Sequence, residues 1–463
     1  MDRAIRPAYR LLILSAVTVA VYASAFGGDF HYDDLSSILA NPHLDRWDTF
    51  MGHLEHMVRP VLYATFLLDR SLYGADPAGY HLLNLLLHLS AGLLIYCIAS
   101  RAVADERSFV PFWTSLLFLI HPITTETVTY ISGRSTGLMT FFYLWALLLY
   151  VRGCDKSVQR RPLYLLLAVA CFLLAIGSKE TAVTLPIILL LWDMQIRQLR
   201  GPNLREEILV RHSPFWVVLL VAASWAWSHP RYSALAEFSF GIRPLWEHLM
   251  TQVHAVAHAI FLLFTPWNQN FDHDLPLLHS PGQWPLPLDL LLILGLVAAF
   301  MLLARRLPLV SFGLGWFFIQ MLPTSVVPRN DLLSERNLYL PAIGVLLASV
   351  SIVSQVRWLT KIQPPHLVRF GSAPLFIALT LVLCVFTFQR NLLYQDPLLL
   401  WSDAVKKSPN KARPHNNLGY AYSLQGDWDR AIDEFRTAAR LDPNFILAQK
   451  NLRDAYLRHV GSH

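Results

Sequence analysis

Two adjacent carboxylates, Asp33 and Asp34, stand shortly after the first apolar run of the chain. Neighbouring carboxylates repel each other, and burial raises the pKa of at least one of them. Such a pair suits a general base or a cation site. An Asx-type turn after a helix would explain the pair without any chemistry. If the pair is catalytic, the residues alone leave open which of the two carboxylates is the base.

Cations and further polar side chains stand at the ends of several apolar runs. Four cations, Arg59, Arg134, Lys179 and Arg336, fall in segments that the topology below places on one side of the membrane. Together with the carboxylates they predict a hydrophilic cavity, with cations available for an anionic group such as a phosphate. The residues expected to bind substrate or support this cavity are His81, Asn84, His121, Glu126, Glu180, Asp272, Asp274 and Glu335. For His81 and Asn84, which share a helix face with His88, interhelical hydrogen bonds are the alternative.

The composition excludes several protein classes. Of the 463 residues, 54% are hydrophobic and 15% are charged, whereas soluble domains carry about a quarter charged residues. A soluble enzyme, a disordered chain and a nucleic-acid-binding protein are therefore not expected. The net charge of +6 fits cytoplasmic loops that lie against an anionic leaflet. The 4 cysteines show no CxxC spacing, so we expect neither a disulfide framework nor a zinc site.

The apolar runs that position these residues predict an all-α, polytopic transmembrane helical bundle of about eleven spans, since a crossing takes about 20 residues. Placing the N-terminus in the cytoplasm puts the loops richer in Lys and Arg inside, as the positive-inside rule requires. The run 246–265 contains His248, His254 and His258, and we expect it to be re-entrant or interfacial. The runs lie near 9–26, 79–99, 109–125, 135–151, 162–178, 181–194, 213–228, 287–304, 309–323, 338–356 and 370–388.

Two domains are expected. Residues 1–390 form the transmembrane domain, in which 27–78 is the first extracytoplasmic loop and carries the acidic pair. After Arg390 the composition changes to mixed, charged, helical sequence, so 391–463 form a second, extracytoplasmic domain. We expect the first apolar run to be an uncleaved anchor, with a cleaved signal peptide as the alternative.

The second domain contains a tetratricopeptide repeat. Shifting its pattern by the 34-residue period reaches Trp401 upstream and Tyr456 downstream. Each helix pair has an apolar face that it cannot bury alone, so we expect the repeat to lean on the membrane domain. A small cap over the outer face and a groove that grips an extended polypeptide are both open. The residues on the repeat spacing are Leu418, Gly419, Tyr422, Ala431, Phe435, Ala438 and Pro443.

These motifs, in this order, resemble the transmembrane-and-tetratricopeptide-repeat O-mannosyltransferases and their bacterial relatives. The resemblance covers nearly the whole chain, including the entry into the repeat from Asp396 to Asn417. The motifs that carry it are Phe30-His31-Tyr32-Asp33-Asp34, Asn41-Pro42, Arg59-Pro60, Gly79-Tyr80-His81-Leu82-Leu83-Asn84 with His88, His121-Pro122 with Glu126, Ser178-Lys179-Glu180 and Glu335-Arg336-Asn337-Leu338-Tyr339-Leu340-Pro341.

The resemblance implies a GT-C glycosyltransferase fold, a polyprenyl-phosphate-linked sugar donor, and transfer to Ser or Thr of extracytoplasmic protein. It implies that the acidic residue of the first outer loop, Asp33 or Asp34, is the catalytic centre. The chain carries a much shorter repeat array than the animal members of the family. We therefore expect a bacterial homologue in the inner (plasma) membrane, with a cytoplasmic N-terminus and a periplasmic repeat domain.

The expected mechanism is one displacement at the anomeric carbon, with inversion. A lipid phosphate leaves without protonation when positive charge surrounds its oxygens, here from Arg59, Lys179, Arg336 and Arg134. A carboxylate then serves as base toward the acceptor hydroxyl. A retaining route, which needs a second carboxylate as nucleophile, stays an alternative. We expect that no cofactor is required; Mg or Mn bound by the acidic pair with Glu126 or Asp272 is the alternative.

Two other functions remain as alternatives. The same fold would also serve transfer of a sugar to a glycan or to lipid A. The second alternative is a protein of another class, a non-catalytic membrane scaffold that presents the repeat. The expected partners are the lipid-linked donor, a protein acceptor gripped by the repeat, and the bilayer, with no nucleic acid.

Overall fold

The protein is all-helical along the described chain, as the sequence predicts. The structure is a computed structural model that describes residues 2–103, 105, 108–155, 157–359 and 373–461, and it contains no strand within these ranges. The helices up to residue 393 are α1 Asp2–Tyr22, α2 Trp47–His53, α3 Pro60–Tyr73, α4 Pro77–Ala102, α5 Val110–Ile120, α6 Thr125–Val128, α7 Arg134–Cys154, α8 Arg161–Ser178, α9 Leu185–Gln195, α10 Gly201–Glu207, α11 Ser213–Ser228, α12 Pro230–Gly241, α13 Leu245–Phe264, α14 Leu286–Leu303, α15 Pro308–Val326, α16 Tyr339–Leu359 and α17 Ala373–Leu393.

Nine helical segments of the described chain are long and apolar enough to cross a membrane, so this is an integral membrane protein. They correspond to nine of the eleven expected runs; residues 370–372 of the last run lie outside the described residues. The segments are Ala8–Gly27, Pro77–Ala102, Ile131–Cys154, Arg161–Ser178, Gly201–Ser228, Leu286–Leu303, Pro308–Val326, Glu335–Gln355 and Pro374–Leu393.

The other two expected runs are shorter than a full crossing. Helices α5 and α9 have 11 residues each. Helix α5 ends before Pro122, which disfavours helical geometry in the residue that precedes it. A 3-10 turn, Glu180–Thr184, leads into α9. Non-helical backbone inside a membrane is tolerated where it is buried in protein. These turns carry polar motifs of the sequence.

The run 246–265 forms one continuous 20-residue helix, α13, which is not among the nine segments. Its Leu262 and Leu263 pack in a buried cluster with Phe317 and Met321 of α15. On α13, His254 Nδ1 lies 2.8 Å from Asp289 Oδ2 at the start of α14. The expectation that this segment lies in the membrane interface stays a prediction.

The centre of the bundle is a large apolar cluster from α4, α5, α7, α9, α15 and α16. Helices α15 and α16 cross closely because glycines meet there: a Cβ added at Gly313 would collide with the carbonyl oxygen of Gly344. Trp316 completes this contact by donating from Nε1 to the carbonyl of Leu340 at 2.8 Å. These contacts hold α15 and α16 close together.

The C-terminal residues fold as stacked helices with the expected repeat geometry. They are α18 Pro397–Lys407, α19 Ala412–Leu424, α20 Trp428–Leu441 and α21 Ile446–Gly461. Helix α19 packs tightly on α20 at Gly419, where a Cβ would lie 2.8 Å from the ring of Phe435. Ala431 and Phe435 form the buried core of this pair.

Candidate active site

A cavity of about 290 Å³ opens where the first predicted outer loop, the segment before α16 and the repeat meet. All of its lining residues are polar or charged. The structure brings Asp33, Arg59, Lys179 and Arg336 together here, although they are far apart in sequence. The lining consists of Asp33, Ser37, Arg59, Ser132, Ser135, Lys179, Arg329, Asn330, Asp331, Ser334, Arg336, Asn337 and Arg413.

The two adjacent carboxylates have different environments. Asp34 is fully buried, and its oxygens accept from the backbone N–H groups of His31 at 2.9 Å and Ser132 at 2.8 Å and from the Ser132 hydroxyl. Burial raises the pKa of Asp34 to about 7. The side chain of Asp33 is 40% exposed, and it lines the cavity with Oδ2 at 3.6 Å from Arg336 Nη1. Of the pair, Asp33 is therefore the carboxylate that is accessible from the cavity.

Arg336 is held between carboxylates. Its backbone N–H donates to Glu126 Oε2 at 2.9 Å, and its Nε lies 3.7 Å from Glu126 Oε1. Ser334 also donates to Glu126, at 2.9 Å. The guanidinium lies 5.7 Å from the ring centroid of Tyr130, whose hydroxyl accepts from the Asp33 backbone N–H at 3.0 Å. The buried Glu126 thus orients Arg336 toward Asp33.

Lys179 reaches the cavity from the end of α8. Its Nζ donates to Thr136 Oγ1 at 2.8 Å and to Asn337 Oδ1 at 2.9 Å. Burial lowers the pKa of Lys179 well below its usual range, and the guanidinium groups of Arg59 and Arg336 lower it further. An anion placed here would stabilise the charged form of Lys179 and would itself be stabilised.

Glu180 holds two arginines at the rim of the cavity. Arg59 donates to it from Nε at 3.0 Å and from Nη2 at 2.8 Å, and Arg329 Nη2 lies 3.6 Å away. Burial would raise the pKa of Glu180, but Arg59 and Arg329 outweigh it and lower the pKa to about 2. Glu180 is therefore a counter-ion that fixes cations beside the cavity.

Arg134, expected among the phosphate-binding cations, does not line the cavity. Its guanidinium is fully buried, with Nη1 2.5 Å from Asp69 Oδ2 and Nε 2.7 Å from Asn84 Oδ1. The ring of Phe66 stacks on it at 4.6 Å. These contacts tie α3 to α4 and α7, because a buried guanidinium needs every donor satisfied. The geometry makes Arg134 a structural ion-pair residue.

The expected substrate-binding polar residues are used mainly to join elements. Asn84 donates to the carbonyl of Val128 at 3.2 Å, and His81 Nε2 lies 3.3 Å from the carbonyl of Gly28. His121 Nε2 lies 2.9 Å from the carbonyl of Leu263. Asn84 thus makes the interhelical contact that the sequence left open, whereas His81 contacts the backbone just beyond the first spanning segment.

The remaining carboxylates are either paired or exposed. Glu335 is buried, 2.8 Å from Arg390 Nη2 and 2.9 Å from His273 Nε2. Asp272 is buried and lies 2.6 Å from Lys411 Nζ. Asp274 is exposed and does not line the cavity. Within the described ranges, no group of three or more His, Cys, Asp or Glu residues is arranged to hold a metal ion.

Three charged residues of the cavity were not among the residues expected from the sequence: Arg329, Asp331 and Arg413. The first two lie in the segment just before Ser334, so the motif around Arg336 could have drawn attention to them. Arg413 gave no such signal, because it lies in the repeat at a position that the repeat spacing does not mark. The contact between repeat and membrane domain brings it to the cavity.

The comparisons with known proteins agree with the motifs. The tetratricopeptide repeat model matches residues 412–445. A protein O-mannosyl-transferase of Caenorhabditis elegans is 26% identical over 458 residues, which cover 94% of this chain and 63% of that protein. The human protein O-mannosyl-transferases TMTC1 and TMTC3 are each 26% identical over 96% of this chain, and the matches cover 56% and 52% of their own lengths.

The chain thus spans between about half and just under two thirds of the length of these relatives. No solved structure matches it. The similarity nevertheless runs through both the helical bundle and the repeat, as the order of the motifs predicts. Over nearly its whole length, the chain is a homologue of the TMTC-type protein O-mannosyl-transferases.

Proposed function

We propose that the protein is a membrane glycosyltransferase that moves a sugar from a polyprenyl-phosphate-linked donor to Ser or Thr hydroxyls of extracytoplasmic protein. The observation that carries the proposal is the cavity in which a reachable carboxylate, Asp33, faces a group of cations. The names of the relatives support a protein acceptor. A scaffold that only presents the repeat has no need of such a cavity.

Asp33 is the general base in this proposal. A base must lie within hydrogen-bond reach of the acceptor hydroxyl, so its carboxylate must be accessible from the cavity, as that of Asp33 is. Asp34 is enclosed by donors from His31 and Ser132 and supports the turn instead. This difference in accessibility supports Asp33 over Asp34 as the base.

The cations around Lys179 receive the donor phosphate. Arg336, Arg59, Lys179 and Arg329 line one cavity, and positive charge there stabilises the negative charge that develops on the leaving phosphate. The bond between the anomeric carbon and the phosphate oxygen breaks, and its electron pair stays on the phosphate. The acceptor oxygen forms the new bond, and its proton passes to Asp33.

A single displacement with inversion fits the acidic residues of the lining. Asp33 and Asp331 are the carboxylates that line the cavity, and Asp331 lies 2.5 Å from Arg413 Nη2. Arg413 lowers the pKa of Asp331 in spite of its burial. A retaining route needs a second carboxylate free to attack the sugar. An ion-paired Asp331 does not favour that role.

The cavity and the repeat lie outside the cytosol in this proposal, with the N-terminus in the cytoplasm. The excess of Lys and Arg in the opposite loops supports this orientation. The repeat provides the surface that the acceptor protein contacts.

Intact-mass comparison of extracytoplasmic proteins tests the function in cells. The wild-type chain is compared with the Asp33→Asn variant, both produced in a strain that lacks the gene. We expect proteins with an added sugar mass in the wild-type strain only. If the two strains give identical protein masses while their membranes contain equal amounts of the two variants, the acceptor is not a protein. A glycan or a lipid would then be favoured as acceptor, and mass analysis of glycans and lipids from the same cells would identify it.

A further inference from the structure

The repeat domain reaches into the candidate active site through Arg413, near the start of α19. Its Nε donates to Asp272 Oδ2 at 2.6 Å, and its Nη2 lies 2.5 Å from Asp331 Oδ1. Asp272 belongs to the loop after α13 and Asp331 to the segment before Ser334. Arg413 lines the cavity together with Asp33 and Arg336. One side chain of the repeat therefore joins two loops of the membrane domain at the edge of the cavity.

The repeat domain also contacts Tyr32, the residue just before Asp33. The guanidinium of Arg413 lies 5.8 Å from the centroid of the Tyr32 ring. The ring of Trp401, on α18, meets Tyr32 edge to face at 5.9 Å. A cation and an aromatic ring of the repeat domain thus both contact this one tyrosine, and both contacts are attractive.

Tyr32 needs this support because of its backbone. Its φ angle is 46°, in the left-handed region that residues with a Cβ rarely adopt. Such a conformation is unfavourable by itself and persists where the surroundings impose it. The next residue is Asp33, whose backbone N–H bonds to the Tyr130 hydroxyl at 3.0 Å. The turn at Tyr32 therefore sets the direction in which the side chain of Asp33 points.

We infer that Arg413 is a positioning residue for Asp33, and that the repeat domain is a working part of the active site as well as a surface for the acceptor. The inference rests on the proposed function for its catalytic consequence. Its structural part stands separately: Arg413 holds the ring of Tyr32, and the ring holds the turn. A repeat that only tethered the acceptor would leave the turn at Tyr32 unchanged when Arg413 is altered.

Arg430 provides a matched control within the same repeat. Its guanidinium also stacks on a tyrosine, 4.7 Å from the ring centroid of Tyr422, and it also pairs with an aspartate, Asp427. Arg430 does not line the cavity. Arg413→Gln and Arg430→Gln therefore remove the same kind of contact from one domain, next to the cavity in the first case and away from it in the second.

Hydrogen–deuterium exchange on the full-length protein in lipid nanodiscs tests the structural part. We expect Arg413→Gln to raise the exchange of amides in residues 30–39, while the spanning helices keep wild-type protection. Arg430→Gln should leave residues 30–39 unchanged. Arg413→Lys keeps the charge without the planar, bidentate guanidinium, so it should give an intermediate effect. It replaces Arg413→Gln in the test if the glutamine variant does not fold. Wild-type exchange at residues 30–39 in both Arg413 variants would overturn the inference.

Transfer kinetics on the same samples test the catalytic part, with undecaprenyl-phosphate mannose as donor and a Ser/Thr-rich peptide as acceptor. Misplacing a catalytic group by about 1 Å costs about 10²-fold in rate, so kcat should fall by that order in Arg413→Gln with the KM for donor within about twofold of wild type. A rise in acceptor KM at unchanged kcat would contradict positioning and indicate acceptor binding. A wild-type protein with no transfer would contradict the proposed function and leave the exchange result valid.

Discussion

Arg336 lies between two carboxylates, with Nη1 3.6 Å from Asp33 Oδ2 and Nε 3.7 Å from Glu126 Oε1. The buried Glu126 anchors the arginine, and Asp33 remains open to the cavity. This arrangement places positive charge beside the proposed base. The same guanidinium is thus available to the leaving phosphate of the donor.

We predict that Arg336→Gln lowers kcat for sugar transfer by about 10²–10³-fold, because one oriented charge is lost from the developing phosphate. Arg336→Lys should recover only part of the rate, since an ammonium cannot reproduce the planar fork of a guanidinium. Arg46→Gln is the control, because Arg46 forms an exposed ion pair with Asp48 and does not line the cavity. Initial rates with purified protein measure the effect, and a wild-type kcat in Arg336→Gln would refute it.

Asp34 should make the protein less stable as pH rises. Its pKa in the folded protein is raised from 3.8 to about 7 by burial, so folding favours the protonated form. The stabilisation is complete below the unfolded pKa near 4 and is lost as pH rises through about 7. Asp34→Asn cannot ionise, so its midpoint of thermal unfolding should fall less between pH 5 and pH 8 than that of the wild type. Equal slopes for the two proteins would show that Asp34 does not titrate this way.

Breaking the buried pair of Arg134 and Asp69 should destabilise the fold. Arg134→Met leaves Asp69 buried without its partner, which costs about 3–5 kcal/mol. Adding Asp69→Leu in the same chain should restore much of the lost stability, since a buried ion pair replaced by apolar groups is often neutral. Thermal unfolding in detergent measures both. If Arg134→Met unfolds like the wild type but transfers sugar slowly, Arg134 has the phosphate-binding role first expected from the sequence.

The fold could be predicted in large part because its signals are local. Runs of about 20 apolar residues identify most of the spanning helices, and the spacing around Gly419 identifies the repeat. Helices α5 and α9 are shorter than the apolar runs that contain them, because Pro122 follows the end of α5 and the 3-10 turn Glu180–Thr184 precedes α9. Hydropathy does not report where a helix gives way to a buried turn.

The site could be predicted only where its residues stand at the ends of apolar runs. Asp33, Lys179 and Arg336 meet the cavity as the topology predicts. Arg134 stands at a similar place in sequence but points between helices, where Asp69 compensates its charge. Arg413 is brought in by the packing of one domain on another. Such contacts between distant segments depend on the tertiary structure. A local pattern in a single sequence does not reveal them.

We expect transfer to proceed without a divalent metal. A phosphate-linked donor lacks the diphosphate that commonly recruits one, and cations of the chain surround the proposed phosphate position. The initial rate should be unchanged when EDTA is added and when MgCl₂ or MnCl₂ replaces it. A rate that is lost in EDTA and restored by Mg²⁺ or Mn²⁺ would require the acidic residues to bind a metal.

Asp33, and not its neighbour Asp34, is the proposed base. The most direct measurement is the initial rate of mannose transfer from undecaprenyl-phosphate mannose to a Ser/Thr-rich peptide, with purified wild type, Asp33→Asn and Asp34→Asn. We predict that Asp33→Asn loses about 10²–10⁴-fold in kcat with unchanged thermal unfolding. Asp34→Asn should change unfolding, and each folded molecule should retain a rate within about tenfold of wild type. An Asp33→Asn variant that transfers mannose at the wild-type rate would contradict the role of Asp33 as the base.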